Sequence, residues 1–167
     1  STDGTGAIAQ AAGARVVRLD YRGKGEAMAV GVATTDADII VFIDADLLYL
    51  TADHVMALAR PVIEETTDMV VGIRERFSVW VGLLYRIDPL FIIGGERAMR
   101  RAVFETLPLP VKKGWWIEIA LNAWAKKNGY RVRTAALHGL GHVVKEKKMG
   151  LVKGLWDRIC EWTCLFY

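Results

Sequence analysis

A chain of 167 residues, 53% of them hydrophobic, is the size of one domain and has the apolar content for a core, which excludes a disordered chain. Its formal charge of +3 is too mild to argue for nucleic acid as a partner, although Lys145, Lys147, Lys148 and Lys153 cluster toward the C-terminus. With only Cys160 and Cys164 there is no disulfide framework, and the pair reads as reduced thiols of a cytoplasmic protein.

Ser1-Thr2-Asp3-Gly4-Thr5 is a turn sequence of the kind that follows a strand, so the chain is expected to begin within a fold. Gly6 to Ala12 predicts a short Ala-rich helix ending at Gly13, and Arg15-Val16-Val17-Arg18-Leu19 predicts a strand. Tyr21-Arg22-Gly23-Lys24-Gly25 then feeds a helix over Glu26 to Val32. A Gly-Lys-Gly turn at a helix start offers N–H groups, the positive dipole end and an ammonium to a phosphate; a solvated turn fits the same residues.

Ile39-Ile40-Val41-Phe42-Ile43 is an unbroken apolar run and predicts a fully buried central strand. It ends on Asp44 and Asp46, whose i, i+2 spacing on an extended chain points both side chains one way, at the strand end where open α/β sheets place ligands. Such a pair suits Mg²⁺ carrying a diphosphate, and it could equally cap the following helix. Thr51 predicts the N-cap of a helix from Ala52, with Asp53 complementing its dipole and Pro61 kinking or interrupting it. Met69 to Ile73 is another short strand, so the order implies a mostly parallel sheet covered on both faces.

No apolar run is long enough to span a bilayer, because Val79 to Ile93 is broken by Arg86, Asp88 and Pro89. From Arg74 to Ile93 the pattern is irregular; Gly94 to Arg101 then predicts the opening of a helix that stops before Leu107-Pro108. Arg97, Arg100 and Arg101 near its start could hold an anionic acceptor or pair with Glu96 and Glu105. Gly114 onward begins another helix with Ile117, Leu121 and Trp124 as its apolar stripe, and Glu118 in its first turn. Arg131 to Leu137 reads as a strand running into His138-Gly139-Leu140-Gly141-His142, where His142 is either a metal ligand or a solvated turn histidine. From Met149 to Tyr167, Leu151, Leu155, Ile159, Trp162 and Phe166 recur at helical spacing, so this amphipathic tail could lie on a membrane or pack on the domain.

Together these motifs resemble the GT-A glycosyltransferases of family 2, in the branch of polyprenyl-phosphate glycosyltransferases and glucosyl-3-phosphoglycerate synthases. Ser1 to Thr5 is similar to the second half of the family's Asp-Asp-Gly-Ser-Thr-Asp-Gly-Thr segment, Gly23-Lys24-Gly25 with Ala27 to its Gly-Lys-Gly-x-Ala helix start, and Asp44-Ala45-Asp46 to its Asp-x-Asp. Gly95-Glu96-Arg97-Ala98 with Arg101 resembles the branch's Gly-Glu-Arg-Ala segment; Glu118 matches its acceptor-side carboxylate, and His142 the histidine that completes the metal shell. Leu48-Tyr49-Leu50 departs from the Gln or His and two prolines of dolichyl-phosphate mannose synthases. The Gly-Arg-Val-Thr loop of the phosphoglycerate synthases is absent between Arg74 and Gly94, which argues against phosphoglycerate as acceptor.

The resemblance implies an α/β GT-A fold whose first strand and helix are missing, with a partial domain over 1–148 and a C-terminal amphipathic helix over 149–167. It implies a glycosyltransferase that moves a sugar from a nucleoside-diphosphate sugar to a phosphate-bearing acceptor, polyprenyl phosphate included, with Mg²⁺ or Mn²⁺. The implied roles are catalysis for Glu118 and Asp46, donor binding for Asp3, Lys24, Gly25 and Asp44, acceptor binding for Gly95 and Arg97, and metal binding for Asp44, Asp46 and His142. The expected partners are the nucleotide-sugar donor and an anionic or lipid-phosphate acceptor, and the expected location is the cytoplasm, with the inner membrane face if there is peripheral membrane contact. A catalytically silent nucleotide or membrane-surface binding module is the alternative, and a metal-dependent nucleotidyltransferase a third.

Overall fold

A computed structural model describes residues 3–20, 23–74, 94–109, 112, 114 and 116–142. The tail helix predicted over 149–167, both cysteines, the C-terminal lysine cluster and the segment 75–93 lie outside the described residues. In order come helix α1 (Thr5–Ala11), helix α2 (Lys24–Ala33), strand β1 (Ile39–Phe42), strand β2 (Leu47–Leu48), helix α3 (Ala52–Ile63) and strand β3 (Met69–Arg74). Strand β4 (Arg97–Arg100), helix α4 (Arg101–Glu105), helix α5 (Ile117–Lys127), strand β5 (Val132–Leu137) and strand β6 (Gly141–His142) follow. No described helix is long and apolar enough to cross a membrane.

The main sheet has the order β1-β4-β3-β5, and a separate two-stranded ribbon joins β2 to β6. β4 is antiparallel to both β1 and β3, whereas β3 and β5 are parallel. Three strands therefore share one direction and β4 alone runs against them. Alternation along the strands divides the interior into two layers. Met69, Val71 and Met99 face Met28 and Val32 of α2, Phe104 of α4, and Ile117 and Leu121 of α5. Val70 and Ala98 face Leu58 and Val62 of α3 with Leu137 and Leu140. Helices cover both faces, as expected for this α/β pattern.

Four local expectations are corrected. Ile39 to Ile43 is not central among the described residues: β1 is the edge strand of the described sheet, and within it only Ile40 is buried. Its apolar run reflects cover on both faces, with Ile39 and Val41 toward α3 and Phe42 packed 5.6 Å from the Phe104 ring, and an edge strand between two helical layers also meets that need. The helix expected from Gly94 is strand β4 up to Arg100, because Ala98 and Met99 are buried on opposite faces between β1 and β3; tertiary pairing overrides the helical propensity of Ala, Met and Arg. Arg15 to Leu19 forms no ladder with another described strand: Val17 is exposed, and the Arg15 side chain donates through Nη1 to the Thr34 carbonyl at 2.7 Å. Pro61 does not interrupt α3, which runs on to Ile63; Pro61 sits in its last turn.

The Thr51 cap is as expected: its Oγ1 accepts from the His54 N–H. At the start of β3, Asp68 takes the Arg131 N–H at 2.8 Å and both arms of its guanidinium at 3.0 Å, with Arg100 Nη1 at 3.4 Å. These bonds tie β3 to the start of β5 and to β4. The Arg131 hydrogen bonds, against opposing desolvation, hold the Asp68 carboxyl at about 2, below its ordinary 3.8. Its stabilisation is therefore fully present above the unfolded value and is lost as pH falls through about 2. Asp68→Asn should lower stability at pH 7 by about 1 kcal/mol, the shift being discounted because Arg131 is half-exposed. Urea unfolding of both proteins across acid pH checks this, and the gap between them should close as pH approaches 2.

Candidate active site

Three elements converge on one ammonium. Lys24 opens α2, Asp44 stands two residues past the end of β1, and Glu118 is the second residue of α5. Lys24 Nζ donates to Asp44 Oδ1 at 2.9 Å and to Glu118 Oε1, so one cation joins carboxylates far apart in sequence. The group is largely shielded, with side-chain exposures of 20% for Lys24, 34% for Asp44 and 10% for Glu118. Burial pulls the Lys24 pKa down, but hydrogen bonds and charge from Glu118 and then Asp44 outweigh it, raising the value above 10.5 and keeping the cation at neutral pH.

Beneath this trio lies Arg97, fully buried in β4. Its Nη2 donates to the Gly94 carbonyl at 2.6 Å, and Nη1 reaches the Glu118 carbonyl at 3.4 Å and Asn122 Oδ1 at 3.3 Å. Burial lowers its pKa while Glu118, Asp44 and Glu96 push it back up. The guanidinium thus braces the turn before β4 against the first turns of α5. Gly95 lies in that turn, and a Cβ there would overlap the Asp44 carboxylate. With glycine there the backbone approaches the acid closely; a larger residue would require the Asp44 carboxylate to move.

β1 ends at Phe42 and residues 45–46 form a turn, so Asp44 and Asp46 are not aligned by an extended strand as their spacing implied. The turn delivers Asp46 directly into β2, where Leu47 pairs with His142 in β6. The backbone of His142 is thereby placed beside the strand that Asp46 begins. Asp3 uses its carboxylate on the Thr5 N–H and hydroxyl, and these bonds lower its pKa. Gly25 commits its N–H to the Gly114 carbonyl at 3.1 Å. Arg100 and Arg101 turn to Asp68 and Glu105.

Sequence reasoning missed Asn122 and the inward role of Arg97. The i, i+4 spacing of Glu118 and Asn122 was a usable signal, since it puts both on one face of α5. Arg97 carried no such sign, because its partners, the Gly94 and Glu118 carbonyls and the Asn122 amide oxygen, are brought close only by the tertiary fold.

Among the described side chains no three His, Cys, Asp or Glu groups converge as a metal cage. That is compatible with Mg²⁺ or Mn²⁺, which such sites hold by one or two carboxylates plus phosphate oxygens of the substrate. Asp44 and Asp46 supply hard oxygen donors of this type, so the residues present fit the ion.

This sheet, covered by helices on both faces and carrying acidic residues past the end of β1, is a GT-A fold. Solved glucosyl-3-phosphoglycerate synthase structures from Mycobacterium tuberculosis are similar to it. With phosphoglyceric acid bound, the match has a TM-score of 0.70 at 26% identity, covering 93% of this chain and 65% of the synthase. With Mn²⁺, UDP and glucosyl-3-phosphoglycerate the TM-score is 0.70 at 28% identity, covering 95% and 65%. Protein RfbJ of Shigella flexneri is 36% identical over 75 residues, 45% of this chain and 57% of RfbJ. Residues 1–118 match the glycosyl transferase family 2 pattern, and the chain belongs to that family. It spans somewhat under two thirds of the length of these relatives.

Lys24→Met should destabilise the fold by about 2 kcal/mol, since it leaves two shielded carboxylates facing one another without their cation. Adding Glu118→Gln should restore part of the loss. Denaturant unfolding of the single and double variants measures the coupling, and strictly additive losses would contradict a shared ammonium.

Proposed function

We propose that this protein is a metal-dependent glycosyltransferase that moves a sugar from a nucleoside-diphosphate sugar to a phosphate-bearing acceptor. The observation that carries this reading is Lys24 held between Asp44 and Glu118, which puts a cation and two carboxylates in one shielded cluster at the end of the sheet. The relatives support the substrate classes. The mycobacterial synthase has been crystallised with Mn²⁺, UDP-glucose and phosphoglyceric acid, with Mg²⁺ and UDP, and with glycerol 3-phosphate.

Asp44, Asp46 and His142 would hold Mg²⁺ or Mn²⁺, which supplies Lewis-acid neutralisation of the departing diphosphate. Lys24, at the N-terminus of α2, adds positive charge where that diphosphate would lie, and the Gly25 turn and Asp3 complete the donor side. Gly95 leaves room for Asp44 beside the donor. Arg97 serves the acceptor side indirectly by fixing the backbone of Glu118. Glu118 orients the acceptor; a phosphate nucleophile is already anionic and needs little base assistance, whereas a hydroxyl would need it.

The finer reading is a polyprenyl phosphate acceptor. Leu48, Tyr49 and Leu50 lie one residue beyond the Asp46 turn and are 42%, 78% and 42% exposed, an apolar edge suited to a lipid chain at the cytoplasmic membrane face.

Asp46→Ala should abolish Mn²⁺-dependent donor binding in calorimetry while the melting temperature stays close to that of the wild type; unchanged affinity would remove Asp46 from the metal site. Glu118→Gln should slow transfer to a phosphate acceptor by less than about tenfold, but transfer to a hydroxyl acceptor by about 10²-fold or more. Diphosphate release in a screen of nucleotide sugars and acceptors distinguishes the cases.

A further inference from the structure

The ribbon that aligns Leu47 with His142 contains only the pairs Leu47–His142 and Leu48–Gly141. Two residue pairs are too few to hold a register by their own hydrogen bonds. A second tie lies just behind them, at His54 in the first turn of α3. Its Nδ1 lies 3.1 Å from the Thr51 N–H, and its Nε2 lies 2.8 Å from the His138 carbonyl. A backbone N–H can only donate and a carbonyl can only accept. Nδ1 is therefore the acceptor and Nε2 carries the proton that is given to His138.

The geometry closes a loop. From β2 the chain passes Tyr49, in a left-handed conformation with φ of 63°, to reach Thr51 and His54. From His138 it passes Gly139, also left-handed with φ of 75°, and buried Leu140 to reach β6. Each strand of the ribbon thus lies only two to three residues from the imidazole that joins their outer ends. Leu140 and Leu47 pack in the α3 layer and press the ribbon down, but apolar contact alone does not select a register.

We propose that His54 is a positioning residue that fixes the backbone of His142 against the strand entered from Asp46, and so sets how well the two can share a divalent ion. The inference rests on the metal role given above to Asp46 and His142. The two nitrogens of His54 have separable duties, one capping α3 and the other fastening the β5–β6 turn.

Two conservative variants separate these duties in the full chain. His54→Asn keeps an acceptor near Thr51 but cannot reach His138, whereas His54→Gln can reach His138 but withdraws from Thr51. Mn²⁺ affinity in the presence of UDP, read by water-proton relaxation, is compared with the melting temperature. His54→Asn should melt close to the wild type yet bind Mn²⁺ about tenfold more weakly, the usual scale for a support behind a metal ligand. His54→Gln should melt lower yet retain near wild-type Mn²⁺ affinity. Unchanged Mn²⁺ affinity in His54→Asn, or losses that follow the melting temperature in both variants, would overturn the positioning role and leave the metal assignment standing. Failure of the wild type itself to take up Mn²⁺ with UDP would overturn the metal assignment and this inference together.

Discussion

One ammonium organises the site. Lys24 reaches Asp44 and Glu118 at once, and in doing so fixes the start of α2, the exit of β1 and the start of α5 relative to one another. None of these groups would tolerate shielding alone, since a charge withdrawn from water without a partner is costly. Together they form a cluster that is stable only when its geometry is kept. Arg97 keeps it from below, joining the Gly94 carbonyl to the first turns of α5, and Gly95 keeps it from the side by leaving space for the Asp44 carboxylate.

The reversed strand β4 is what makes this arrangement possible. An entirely parallel set of strands would carry every strand exit to the same end of the sheet. Because β4 runs backward between β1 and β3, its beginning, not its end, meets the exit of β1: Phe42 pairs with Arg97. The Gly94-Gly95 turn then sits beside Asp44. A buried guanidinium in the sheet's second strand is tolerated because carbonyl oxygens, the Asn122 amide and nearby carboxylates surround it.

The β2–β6 ribbon is the complementary device. It is too short to be stable by itself and depends on α3, both through Leu140 in the apolar layer and through His54 at the His138 carbonyl. The acidic turn and the histidine turn come from segments almost a hundred residues apart, and this small ribbon is the place where they meet.

Much of this was legible in the sequence. Three helices were marked by local signals: the Gly-Lys-Gly turn before Glu26 to Val32, the Thr51 cap before Ala52, and the apolar stripe of Ile117, Leu121 and Trp124 after Gly114. Asp44, Asp46, Glu118, Lys24 and His142 stood out by residue type and motif. Pairing was not legible. Arg-Ala-Met-Arg has no local reason to be a strand, and becomes one only because β1 and β3 offer hydrogen bonds on either side. Nor could Ile39 to Ile43 show how many described strands flank it, since an apolar run records burial on two faces and not the number of neighbours. What the sequence determined by itself was which groups were available and which segments were amphipathic, for those are local properties. Which carboxylates share the Lys24 ammonium, and that Arg97 points inward, were decided by tertiary structure alone, because charge pairing acts through space between residues that the chain keeps far apart.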